Sequence, residues 1–161
     1  MLSFPHPTGQ VLQVTDEILR QGKLASRDSE RGRIIYPLHR ADKAPVQRML
    51  NFFQPRTYVT PHRHVMYGAT ETITVLSGKL GFIAFDEQGE ITETFTLSPC
   101  GLIDIEPNVW HSMIALEEDT VLLEIKKGPY QPKYDKDFAV WAPKELTSES
   151  VELLERWREL F

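Results

Sequence analysis

An all-β domain, an antiparallel sandwich or barrel with a short helix near each end, is the fold this sequence predicts. Three observations carry that reading. Between residues 46 and 126 short runs rich in Val, Ile, Leu, Phe and Thr recur at near-regular spacing, with no helical pattern between them. Their separators are turn-like: Ser77-Gly78, residues 86–89, residues 99–101, Pro107-Asn108 and residues 117–119. Helix-capping signals stand near the two ends, at Thr15 and at Thr147-Ser148.

Composition bounds the rest. The chain has 161 residues, enough for one domain with a real core. Hydrophobic residues at 41% and charged residues at 25% sit near globular averages. A net charge of −5 and scattered basic residues argue against a nucleic-acid or anionic-membrane surface. The single cysteine, Cys100, forbids an internal disulfide and fits a reducing cytoplasm. The start, MLSFPHPTGQ, lacks a basic n-region and an apolar h-region, and no run approaches membrane-spanning length. A cytoplasmic protein is expected.

The elements follow in order. Residues 1–14, with Pro5, Pro7 and Gly9, read as an arm that frays or packs along an edge. Thr15 caps a helix over 16–21, with Gly22 as its stop signal. Residues 23–32 are polar and charge-mixed, a loop or irregular helix. Ile34, Ile35 and Tyr36 have strand composition, interrupted by Pro37. Strands are expected over 46–54, 57–61, 70–76, 80–85, 91–97, 102–105, 111–116 and 121–126. Residues 128–143 mix prolines with Tyr130, Tyr134, Phe138 and Trp141 and read as an ordered tail wrapped on the barrel. A final helix follows, in which Val151, Leu154, Trp157 and Phe161 trace one face. Residues 1–45 are thus an arm and short helix, 46–127 the barrel core, and 128–161 the tail and last helix of a single domain.

The chemistry concentrates in PHRHVMYGATETITVLSG, residues 61–78. Side chains alternate along a strand, so His62 and His64 share a face, about 7 Å apart. Glu71, Ile73 and Val75 lie on one side of the next run and Thr72, Thr74 and Leu76 on the other. A carboxylate on the apolar side is costly unless paired or bound to metal. GLIDIEPNVWHSMIA, residues 101–115, brings His111 to the start of a strand, on the face of Met113 and Ala115. Asn108 sits in the preceding turn, where a positive φ is expected. Hairpins closing a barrel can set residue 111 opposite residues 62–71.

H-x-H, then Glu, then six residues and Gly, followed downstream by P-N-V-W-H, resembles the two motifs of the cupins. The resemblance implies a jelly-roll barrel, the double-stranded β-helix of the RmlC-like type, with a metal in its mouth. By position the ligands would be His62, His64, Glu71 and His111. The loop from His64 to Glu71 is longer than the general pattern, and Asn108 stands where glycine is usual. More narrowly, PVQRMLNFFQPRTYVTPHRH, GKLGFIAFDEQGEI, VLLEIKKGPY and DFAVWAPKE resemble the WbuC family of cupin-fold metalloproteins, associated with bacterial O-antigen gene clusters and of unestablished reaction.

Three imidazoles and a carboxylate suit iron, manganese, nickel or zinc, with coordination positions left open. Gln47, Arg48, Tyr58 and Met113 are the candidate pocket residues, although alternation sets Gln47 and Asn51 on the face opposite Arg48. Arg48 would hold a carboxylate or phosphate. His39 and His6 read as packing and arm residues, Cys100 as an inert turn residue, Tyr130 and Trp141 as packing. Glu124, alternating with Leu122, points inward. The function these imply is binding or conversion of a small polar molecule, a sugar or sugar nucleotide in bacterial surface-polysaccharide metabolism. The alternative is a non-catalytic metal-dependent binding or sensor module. No DNA-binding helix-turn-helix is present, and a metal-free epimerase would need a His/Tyr pair instead. A homodimer is expected.

Overall fold

Alternating burial organises two sheets face to face, and a computed structural model describes them over residues 2–66 and 68–161. In chain order the elements are α1 (Asp16–Asp28), β1 (Arg33–Pro37), β2 (Val46–Phe53), β3 (His62–Arg63), β4 (Glu71–Ser77), β5 (Leu80–Phe85), β6 (Ile91–Leu97), β7 (Leu102–Ile105), β8 (Trp110–Ala115), β9 (Thr120–Lys127), β10 (Asp137–Phe138) and α2 (Ser148–Arg158). One five-stranded sheet has the order β1-β2-β9-β4-β7 and the other β10-β3-β8-β5-β6. Eight of these strands pair in a nested way: β2 with β9, β3 with β8, β4 with β7, and β5 with β6, all antiparallel. A single long antiparallel ribbon, wound so that its rungs fall alternately into two sheets, is a jelly roll. The fold is therefore a jelly-roll β-sandwich with two short helices.

The inner faces bury Phe53, Ile73, Val75, Leu80, Phe82, Met113, Ala115 and Leu122 against one another. The outer faces are covered as well. Beneath α1 lie Ile34, Leu50, Phe52 and Val121, and beneath α2 and the tail lie Ile83, Phe85, Ile114 and Trp110. This double cover explains why β5 and β8 are buried at every position. Such strands sit between two apolar layers, as in sheets packed on both sides.

Several local expectations are corrected. The first helix runs through Gly22 to Asp28 instead of stopping. Gly22 is there for close approach: a Cβ on it would lie 2.3 Å from the Phe52 ring. Residues 57–61 form no strand. They cross from one sheet to the other, and their polar groups are met outside a ladder: Thr57 Oγ1 donates to the Gly32 carbonyl and Ser112 Oγ to that of Val59. In α2 the buried stripe is Ser150, Leu154 and Trp157, with Phe161 packed beyond the helix end, while Val151 is exposed. Tyr130, Tyr134 and Phe138 remain substantially exposed, so the tail is held by Ala139 and Trp141 rather than by its other rings.

The N-terminal arm packs along the edge of β1 through a parallel bridge from Ser3 to Ile35. Pro37 ends β1 at that edge, where no further ladder bond is needed. No helix among the described residues is long and apolar enough to cross a membrane.

Candidate metal centre

His62 lies in β3 directly opposite His111 in β8. His64 follows two residues on, and Glu71 opens β4. The turn before β8 is fixed by Asn108, whose φ of 68° is left-handed and whose N–H donates to the His64 carbonyl at 2.9 Å. That one bond ties the strand carrying His111 to the segment carrying His64. All four side chains are buried, each 5% exposed or less.

The histidine tautomers follow from their neighbours. His62 Nδ1 faces the Thr60 carbonyl at 2.9 Å, His64 Nδ1 the Asp135 carbonyl at 2.5 Å, and His111 Nδ1 the Val109 carbonyl at 2.9 Å. A carbonyl only accepts, so each Nδ1 carries the proton, and Nε2 is the atom each ring has left to offer as a lone pair. The Nε2 atoms of His64 and His111 each stand 3.3 Å from Glu71 Oε2. None of these three buried atoms has a hydrogen-bond partner. Lone pair meets lone pair unless a proton or a cation lies between.

The spacing suits a cation. Donors about 2.1 Å from one ion, at tetrahedral or octahedral angles, stand about 3.0–3.4 Å apart. One donor atom from each of His62, His64, Glu71 and His111 falls within 4.8 Å of all the others. The backbone carbonyls behind the rings fix their orientation, as is usual around bound metals. Burial holds His62 well below the ordinary imidazole value, with Lys136 and His111 adding to the effect. Burial alone would raise Glu71; a proton on the facing Nε2 of His111 or His64 outweighs that and holds the carboxyl well below the usual range. A cation in the same place would act in the same direction. Neutral imidazoles beside an ionised carboxylate are the protonation states a metal requires.

A cavity of about 530 Å³ opens beside this cluster, lined by its His62 and Glu71, within the range of small-molecule sites. Gln47 and Met113 line it. Arg48 and Tyr58 do not. Arg48 is exposed on the opposite face of β2, and the Tyr58 ring stacks on Trp157 while its hydroxyl donates to the Pro143 carbonyl. His39 is buried and lines the cavity, its Nδ1 donating to the Arg48 carbonyl at 2.8 Å. His6 bonds Asp42 and the His39 carbonyl, pinning the arm to the cavity rim.

Four charged neighbours complete the interior. Glu124 accepts from Asn51 Nδ2 at 2.8 Å, and burial with the Glu71 charge pushes its pKa up to about 7. Lys126 Nζ bonds both carboxylate oxygens of Asp135, at 2.8 and 2.9 Å. Lys136 also lines the cavity. Lys126 was readable by alternation with Leu122 and Glu124 along β9. Asp135 and Lys136 arrive on the tail, where no periodicity marks them.

A family model described as a domain of unknown function (DUF6016) matches residues 14–97. No curated protein sequence matches the chain. Among solved structures it is similar to an oxalate decarboxylase from Lactobacillus farciminis in a formate complex, at 16% identity over 70% of this chain and 34% of that one, with a TM-score of 0.49. It is similar to KdgF from Halomonas sp., at 19% identity over 63% of this chain and 82% of that one, with a TM-score of 0.47. A Bacillus subtilis oxalate decarboxylase is matched at 18% identity and a TM-score of 0.47, over 58% of this chain but only 24% of that one. The chain thus spans about a quarter of that enzyme's length. The fold assignment rests on the nested strand pairing.

Proposed function

This chain belongs to the family described as a domain of unknown function (DUF6016), and we propose that it is a metal-binding cupin whose barrel mouth takes a small polar molecule. The observation that carries the reading is the meeting of three buried, unpartnered donor atoms, on His64, Glu71 and His111. Leaving such atoms unsatisfied costs free energy that one cation would relieve. His62, His64, Glu71 and His111 would hold an iron, manganese, nickel or zinc ion. Once bound, it would supply a Lewis acid, or lower the pKa of a coordinated water. The chain's own residues would orient the ligand rings and bury them, with the cavity opening beside His62 and Glu71.

The finer setting is bacterial surface-polysaccharide metabolism, with a sugar or sugar nucleotide as the molecule taken. The likeness of PVQRMLNFFQPRTYVTPHRH and DFAVWAPKE to WbuC cupins supports it. A non-catalytic binding role is the second reading. It is favoured by the commitment of the Gln47 Nε2 donors to the Asp42 and Ala44 carbonyls and of Asn51 Nδ2 to Glu124, which turns these donors to structural bonds.

Elemental analysis of protein purified without an affinity tag tests the proposal. About one transition-metal ion per chain is expected, with most of it lost in His62→Ala and His111→Ala. Metal-free wild type after growth with each candidate ion, or variants that keep a full complement, would sink it.

A further inference from the structure

The tail returns to the barrel through β10, where Phe138 pairs with His62 and Asp137 with Arg63. Residues opposed across an antiparallel pair project to the same face, and so do residues two apart along a strand. Phe138 and Lys136 therefore share the face of His62 and His64. The rings of Phe138 and His62 lie 6.1 Å apart, and both Lys136 and Phe138 line the cavity.

The two cavity lysines differ in one respect. Lys126 is taken up by Asp135, with Glu124 Oε1 a further 3.9 Å contact. Lys136 makes no hydrogen bond or ion pair within 4.0 Å among the described residues. Its ammonium sits in a place where burial works against its charge, with Lys126 adding repulsion and Glu124 and Glu71 opposing both. A half-buried cation without a direct counter-ion, facing a cavity, calls for an anion.

The charge count points the same way. The interior carries three carboxylates, on Glu71, Glu124 and Asp135, and two ammonium groups, on Lys126 and Lys136. A divalent ion turns that balance from negative to positive. At the rim, Arg31 and Arg33 pair with Glu145, and Asp42 bonds His6, so their formal charges cancel. A neutral ligand would leave the loaded site with an unmatched positive charge in a confined space.

We propose that Lys136 is the anion anchor of this cavity and that the ligand is a small organic anion. Its carboxylate or phosphate is held by the Lys136 ammonium while another of its oxygens reaches the metal. This rests on the metal-binding reading above and narrows its small polar molecule to an acid.

The test uses metal-loaded full-length protein, its metal content checked by elemental analysis, and titration calorimetry with three probes. Malonate presents carboxylates, inorganic phosphate presents a phosphate, and malonamide is the uncharged isostere of malonate. Saturable binding of malonate or phosphate, with none of malonamide, is expected, and the tighter of the two anions identifies the group held. In Lys136→Met the affinity should fall roughly tenfold or more with metal content unchanged, and Lys136→Arg should restore most of it. A measurement without any variant is acetylation of the wild type by an N-hydroxysuccinimide ester. Lys136 should be labelled in the free protein and protected by the bound anion, as read by peptide mass. Metal-loaded wild type that binds neither anion, Lys136→Met that binds as tightly as wild type, or labelling unchanged by anion overturns the assignment while the metal centre stands. Protein that takes up no metal overturns the underlying reading instead.

Discussion

Glu71 Oε2 stands 3.3 Å from His111 Nε2, and neither atom has a hydrogen-bond partner. The His111 proton is committed to the Val109 carbonyl, so the contact sets two acceptors against each other. In Glu71→Gln the amide N–H can donate to that nitrogen. The metal-free variant should therefore be more stable than metal-free wild type, by about 1 kcal/mol. Its metal affinity should fall by two orders of magnitude or so, since a charged ligand becomes neutral. Urea unfolding of chelator-treated protein and competition with a metal indicator read the two effects. If the substitution destabilises the metal-free protein, the cluster is an ordinary hydrogen-bonded network.

Acid should loosen the fold through His62. Its folded-state pKa is depressed well below the ordinary 6.5, chiefly by burial. The unfolded chain then binds more protons as pH falls, and stability falls with it. The contribution is full above about pH 6.5 and is lost as pH drops toward the depressed folded value. Urea midpoints of metal-free protein should decline between about pH 7.5 and 5, and His62→Asn should flatten that decline. A midpoint independent of pH in wild type would contradict the burial of a neutral ring.

Asn108 aims the strand that carries His111. Its φ of 68° suits Gly and Asn but strains a β-branched side chain. Asn108→Gly should keep stability within about 0.5 kcal/mol, while Asn108→Val should cost about 1–2 kcal/mol. The valine variant should also weaken metal binding, because the N–H donating to the His64 carbonyl sits on this residue. Equal metal affinity in both variants would mean the turn supports the fold without positioning the site.

The local parts of this molecule were legible because they are written in adjacent residues. His62 and His64 share a face by strand alternation, Glu71 shows itself as a carboxylate on an apolar face, and Asn108 marks its turn by type. The positions of β2, β5, β6 and β7 were readable from composition and turn residues. The parts set by contacts distant in sequence were not. Residues 57–61 have strand composition yet serve as the crossing between sheets, since their partners are Gly32 and Ser112 rather than a neighbouring ladder. Arg48 and Tyr58 looked like pocket residues by closeness in sequence to the histidines, but one faces outward and the other packs beneath α2. Lys136 reaches the cavity only because two residues of the tail pair with β3.

Gly22 shows how such a distant contact can reverse a local rule. A glycine after a short helical run signals a stop, yet α1 continues six residues beyond it. Substitution by alanine would favour an isolated helix by about 1 kcal/mol. Here the added methyl would lie 2.3–2.5 Å from three atoms of the Phe52 ring, which is wholly buried and has nowhere to move. Overpacking of this kind costs about 1–3 kcal/mol, so the clash outweighs the propensity gain. Gly22→Ala should lower stability by about 1–2 kcal/mol net, read as a lower urea midpoint with unchanged slope. The double variant Gly22→Ala/Phe52→Leu should recover part of the loss relative to Phe52→Leu alone, since the smaller side chain makes room. A single variant more stable than wild type would show that α1 can lift from the sheet without cost, and the packing account of its length would fail.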